Sequence, residues 1–84
     1  MRNLQDYRQE INEIDDRIIE LLNERFQVSV EIGEYKRERA LPTLDRDREE
    51  EIKAKILQIK AAEVIKERIL GVYAAIFKES RELQ

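Results

Sequence analysis

The sequence predicts an all-α protein with three helices per chain, one long and two shorter, and three observations carry that prediction. Only two glycines and one proline occur in 84 residues, which leaves few places for the chain to turn. Glutamate, lysine, arginine, leucine and isoleucine are abundant, a composition that suits helices. Apolar residues recur at steps of three and four, the period of a helix rather than of a strand.

The first helix is expected over about residues 4–39. Leu4, Tyr7, Ile11, Ile14, Ile18, Leu21, Arg25, Val28, Ile32, Tyr35 and Arg39 step alternately by three and four, the heptad signature of one continuous seam. Every seam position except Arg25 and the terminal Arg39 is apolar or aromatic, so Arg25 stands where the pattern asks for leucine or isoleucine. Pro42 cannot continue the helix and biases Leu41 toward an extended conformation. Gly33 costs about 1 kcal/mol relative to alanine in a helix interior, and close packing of a neighbouring helix accounts for it.

The second helix is expected over about 46–61. Asp45 or Asp47 can cap it, and Glu49, Glu50 and Glu51 suit the positive end of its dipole. Its apolar stripe is Ile52, Ile56 and Ile59. The third helix, about 64–84, carries Ile65, Ile69, Val72, Tyr73, Ile76, Phe77 and Leu83. The boundary between them, within residues 60–64, offers no glycine, proline or good cap. The whole chain, 1–84, reads as a single domain.

Length constrains assembly. A helix over 4–39 is roughly 54 Å long, whereas a compact domain of this size has a radius of gyration near 12 Å and a diameter of about 30 Å. Half of the seam would therefore lie bare in a monomer, and a two-fold dimer in which the long helices pair is the economical remedy.

Composition also excludes chemistry. With no cysteine and no histidine, thiolate chemistry, a disulfide framework and the commonest general base and metal ligand are all ruled out, and no cofactor is implied. The net charge of -3, with the two signs interspersed, argues against a nucleic-acid or membrane partner. No apolar run approaches the roughly 18 residues of a membrane span, and the N-terminus has no signal-peptide core, so the expectation is a soluble cytoplasmic protein.

Polar residues interrupt each apolar face once. Lys36 follows Arg25 by three helical turns, about 16 Å along the axis and about 20° around it, so both cations share a face. On the second helix the stripe turns polar toward its start, at Glu49, Arg48 and Asp45. On the third, Tyr73, Phe77, Ser80 and Gln84 step by four, three and four, and the stripe turns polar at its end. Each intruder has a plain structural explanation: a seam arginine can set register, Asp45 and Glu49 can be caps, Lys36 can extend its amine to solvent, and Ser80 and Gln84 can be surface. Together they also fit a polar pocket inside a helical bundle. Arg8 lies about 25 Å from Arg25 along the axis. Antiparallel pairing of two long helices about residue 21 or 22 sets position 8 of one chain opposite about position 35 of the other, near Lys36.

The segments YRQEINEIDDRIIELLNER, VEIGEYK, PTLDRDRE and SRELQ, in that order and over essentially the whole chain, resemble the all-helical class of chorismate mutases. The resemblance implies an intertwined helical-bundle homodimer with two active sites, converting chorismate to prephenate on the route to phenylalanine and tyrosine. Carried over by motif position, Arg25 and the partner's Arg8 would grip the substrate's two carboxylates. Lys36 would contact a carboxylate and the ether oxygen, to which Gln84 would also donate. Glu49 would accept from the ring hydroxyl, helped by the backbone near Asp45, with Arg48 and Ser80 supporting the anion contacts. Two readings compete: an isochorismate pyruvate lyase of the same superfamily, and a non-catalytic helical dimerisation module in which Arg25 merely sets register.

Overall fold

The computed structural model describes residues 1–84 and is entirely helical, with α1 over Leu4–Glu38, α2 over Arg46–Gln58 and α3 over Glu63–Leu83. The start and end of α1 and the start of α2 have local causes. At the start of α1, the Asn3 side chain accepts from the Asp6 amide at 2.9 Å and the Asp6 carboxylate accepts from the Asn3 amide at 3.1 Å, a reciprocal capping box.

The end of α1 is set by its own last turn before Pro42 is reached. Leu41 N donates to the Lys36 carbonyl at 2.8 Å and Ala40 N to the Arg37 carbonyl at 3.3 Å, the pair of bonds that closes a Schellman motif. Ala40 occupies the left-handed position with φ 52°, where a Cβ costs about 1–2 kcal/mol. The chain thereby folds back, and the 39–45 connection stays beside the last turn of α1.

Of the two candidate caps for α2, Asp45 is the one used, its Oδ1 accepting from Arg48 N at 3.0 Å. The helix ends at Gln58, earlier than the expected 61, so Ile59 of the predicted stripe lies outside it in an extended conformation (φ -69°, ψ 155°). Lys66 of α3 makes this early stop tenable. Its Nζ donates to the Leu57 carbonyl at 2.8 Å, satisfying an acceptor that the helix end leaves unpaired. Ala62, at the start of α3, makes no side-chain cap, in keeping with a sequence that offers none.

Packing is uneven. α3 lies against both α1 and α2, which do not pack on each other. The buried apolar core is Ile56 and Phe77, 6% and 5% exposed. On α1 the buried residues are Ser29 and Gly33, with Leu22 and Phe26 half-buried. That face is rotated from the predicted seam: Leu4, Tyr7, Ile11, Ile18, Leu21, Val28, Ile32 and Tyr35 all remain exposed. The molecule is elongated, 57 × 25 × 15 Å with a radius of gyration of 16.2 Å, against about 12 Å for a compact chain of this length. Its surface of 7136 Å² exceeds by about 1,800 Å² that of a compact monomer of equal mass. No helix is long and apolar enough to cross a membrane.

Relief of the left-handed alanine gives a test of the α1 stop. Ala40→Gly is expected to raise stability by roughly 0.5–1 kcal/mol, seen as a higher urea midpoint at unchanged slope. A lower midpoint would mean that the motif does not hold in solution.

Candidate active site

The site begins with a close approach of two helices. A Cβ on Gly33 would lie 2.7 Å from the Gln84 Cα and 2.8 Å from its carbonyl oxygen, a separation that side chains essentially never tolerate. One turn earlier, Ser29 folds its hydroxyl onto the Arg25 carbonyl at 3.1 Å and presents little bulk. These two small residues let the end of α3 lie directly on α1. Arg37 then clasps it, its guanidinium donating to the Gln84 carbonyl at 2.8 Å.

Beside this contact lies a cavity of about 310 Å³, walled by Val28, Ile32, Ile52 and Phe77 on its apolar side. Its polar lining comes from all three helices. Arg25 donates to the Ser80 hydroxyl at 2.5 Å and sits 6.0 Å from the centre of the Tyr73 ring, a cation–π placement. Lys36 donates to the Thr43 carbonyl at 2.8 Å and to Gln84 Oε1 at 2.7 Å. An ammonium has three protons, so one remains for a ligand. The Gln84 amide, accepting through its oxygen, keeps its NH₂ group free to donate.

The charges are not balanced locally. Neither Arg25 nor Lys36 has a carboxylate within ion-pair distance. Glu49 does have a cation, Arg81, which bonds its Oε2 from the facing helix. The cavity thus holds two cations without a carboxylate, Arg25 and Lys36, and one carboxylate, Glu49, that is already paired. An anion that also carries a neutral hydroxyl matches that lining.

Of the residues singled out in the sequence, Arg25, Lys36, Asp45, Arg48, Glu49, Ser80 and Gln84 all line this cavity. Two are engaged otherwise than a ligand would need. The Asp45 carboxylate is occupied as the α2 cap, and the Arg48 guanidinium bonds Glu51 at 3.1 Å with its side chain 60% exposed. Arg8 is not brought in; it is exposed on the bare half of α1. Arg81 and Thr43 also line the cavity and were not expected. Arg81 follows Phe77 by one turn and was legible as the other flank of the same stripe. Thr43 contributes only its backbone carbonyl, which no residue type announces.

A family model described as chorismate mutase type II matches residues 7–84. The bifunctional chorismate mutase/prephenate dehydratase of Aquifex aeolicus (strain VF5) is 44% identical over 59 residues, covering 70% of this chain and 16% of that protein. The chain therefore spans a small fraction of that relative's length. No solved structure matches.

The Gly33 contact is testable without any assay of activity. Gly33→Ala should lower stability by about 1 kcal/mol or more through overpacking, although alanine is the better helix former by about 1 kcal/mol. Amide hydrogen exchange should quicken at Leu83 and Gln84. Unchanged exchange there would show that α3 does not rest on Gly33.

Proposed function

The chain belongs to the chorismate mutase type II family, and we propose that it converts chorismate to prephenate by an intramolecular Claisen rearrangement, as a homodimer in which Arg8 of each chain completes the other's cavity. The observation that carries this reading is the pair Arg25 and Lys36, two cations without carboxylate partners, facing one cavity together with the amide of Gln84.

Chorismate is a dianion with a ring hydroxyl and an ether bridge. In this reading Arg25 takes one carboxylate, with Ser80 steadying its guanidinium, and the partner's Arg8 takes the other. The free proton of Lys36 and the free NH₂ group of Gln84 converge on the ether oxygen. Glu49 accepts from the ring hydroxyl through its open oxygen, beside the capped start of α2 at Asp45, and Arg48 supports the anion contacts once it turns from Glu51.

The reaction breaks the ether carbon–oxygen bond as a carbon–carbon bond forms, with no proton transfer. That is why a chain lacking histidine and cysteine suffices. Holding the extended dianion in its folded conformer removes orientational entropy from the barrier. Donors already aimed at the ether oxygen stabilise the charge that develops there without solvent reorganisation. A million-fold acceleration requires about 8 kcal/mol from the two effects together.

The dimer is supported by the same structure. The N-terminal part of the α1 seam, where Leu4, Tyr7, Ile11, Ile18 and Leu21 are exposed, has no counterpart within the chain, and the surface excess of about 1,800 Å² per chain is what an obligate interface would bury. Antiparallel pairing of two α1 helices brings the partner's Arg8 close to the Lys36 end of the cavity, which supplies the cation that one chain alone lacks for the second carboxylate.

The test is the loss of chorismate's ultraviolet absorbance with purified protein, the product identified as prephenate by its acid conversion to phenylpyruvate. Saturable turnover is expected. Arg25→Leu should reduce kcat/KM by roughly a hundred- to a thousandfold while leaving the melting temperature equal or higher, because a part-buried cation without a carboxylate partner seldom helps stability. Full activity in that variant, or no turnover by the folded parent protein, would overturn the proposal.

A further inference from the structure

Arg81 is a cation in the cavity wall that the mechanism above does not use. It is the residue after Ser80, and its guanidinium bonds Glu49 Oε2 across the gap between α3 and α2. Neither partner is fully exposed: the Arg81 side chain is 36% accessible and that of Glu49 20%. The other cations of α2 and its approach bond elsewhere or not at all with this carboxylate; Arg48 is turned to Glu51 and Lys53 to Glu50. Arg81 therefore holds Glu49 by itself.

The placement matters because of what shares the space. Arg25 and Lys36 line the same cavity of about 310 Å³ and carry no carboxylate of their own. A Glu49 carboxylate released into that volume would be attracted to them, since opposite charges in a partly desolvated site attract far more strongly than in water. It would then occupy the seat of the substrate's own carboxylates.

We propose that Arg81 is a positioning residue that holds the Glu49 carboxylate against α3, which leaves its second oxygen for the ring hydroxyl and keeps Arg25 and Lys36 open to the substrate dianion. The inference rests on the chorismate mutase reading and adds to it a residue that acts on another side chain rather than on the substrate. It also makes a signed prediction, because removing the competing charge should undo the damage of removing its holder.

The experiment compares the parent protein with Arg81→Met, Glu49→Gln and the double variant, using chorismate as substrate. Arg81→Met is expected to raise KM about ten- to a hundredfold, the scale of a lost charge-assisted hydrogen bond, and Arg81→Lys to recover most of that loss. In the double variant KM should return to within about twofold of Glu49→Gln alone, since no carboxylate is left to compete. Far-ultraviolet circular dichroism confirms folding, and Arg81→Gln, which keeps the stem and a neutral donor, replaces the methionine variant if that one loses its helix signal. Turnover by the parent with an unchanged KM in Arg81→Met would overturn this inference alone. So would an equal rise in KM in both backgrounds, the result of a purely structural arginine. No turnover by the parent would overturn both it and the functional reading.

Discussion

The close approach of α3 to α1 at Ser29 and Gly33 is the contact on which the cavity depends. It is made by absence: with no side chain at 33, the backbone of Gln84 comes within van der Waals range of the α1 backbone. The docking fixes Gln84 beside Lys36 and Ser80 beside Arg25. The same α3 helix carries Phe77 onto α2, where Ile56 completes the small apolar core. One helix thus sets both walls of the cavity, while α1 and α2 never pack on each other. A larger residue at 33 would disturb the polar lining before it disturbed the core.

Chemistry follows from which charges are left over. Most ion pairs lie on the surface between neighbours along a helix, such as Arg48 with Glu51 and Lys53 with Glu50, and such pairs contribute little to stability. Arg25 and Lys36 differ in being part-buried and bonded only to neutral groups. Cations so placed cost stability and persist where an anion makes use of them. A rearrangement that needs conformational restraint and a polarised ether oxygen, but neither nucleophile nor base, is well served by such a lining.

Much of this was legible in the sequence, and the remainder was hidden for identifiable reasons. Helical period and scarce turn residues revealed the three helices, and Asp45 was visible as a cap. Polar interruptions of the stripes at Arg25, Lys36, Glu49, Ser80 and Gln84 pointed to the residues that line the cavity, because a side chain on a packed face must meet whatever the facing helix presents. In the sequence Pro42 is the visible stop of α1, whereas Ala40 in the left-handed region closes the helix earlier; alanine carries no signal for that conformation. At the end of α2 at Gln58, Lys66, nine residues beyond its acceptor, bonds the Leu57 carbonyl, a contact that no local pattern announces. Arg81 was missed since two residues, Ser80 and Arg81, flank the same stripe and either could face inward. The face of α1 that packs on α3 bears Ser29 and Gly33, rotated from the apolar seam; Gly33 signals a close helix approach in the sequence, whereas the half-buried Leu22 and Phe26 lie outside the heptad seam.

The N-terminal part of the seam remains outside the chain's own packing, and in the reading proposed here it belongs to a second copy that also supplies Arg8. The most direct measurement is subunit complementation. Arg8→Ala and Arg25→Leu proteins, each expected to lose most activity alone, would be mixed in denaturant, refolded together and assayed on chorismate. In the mixed dimer one cavity receives both intact arginines and the other neither, so an equal mixture should recover about a quarter of the parent activity. Activity no greater than that of the separate variants, from a refolded and dimeric mixture, would contradict a site shared between chains.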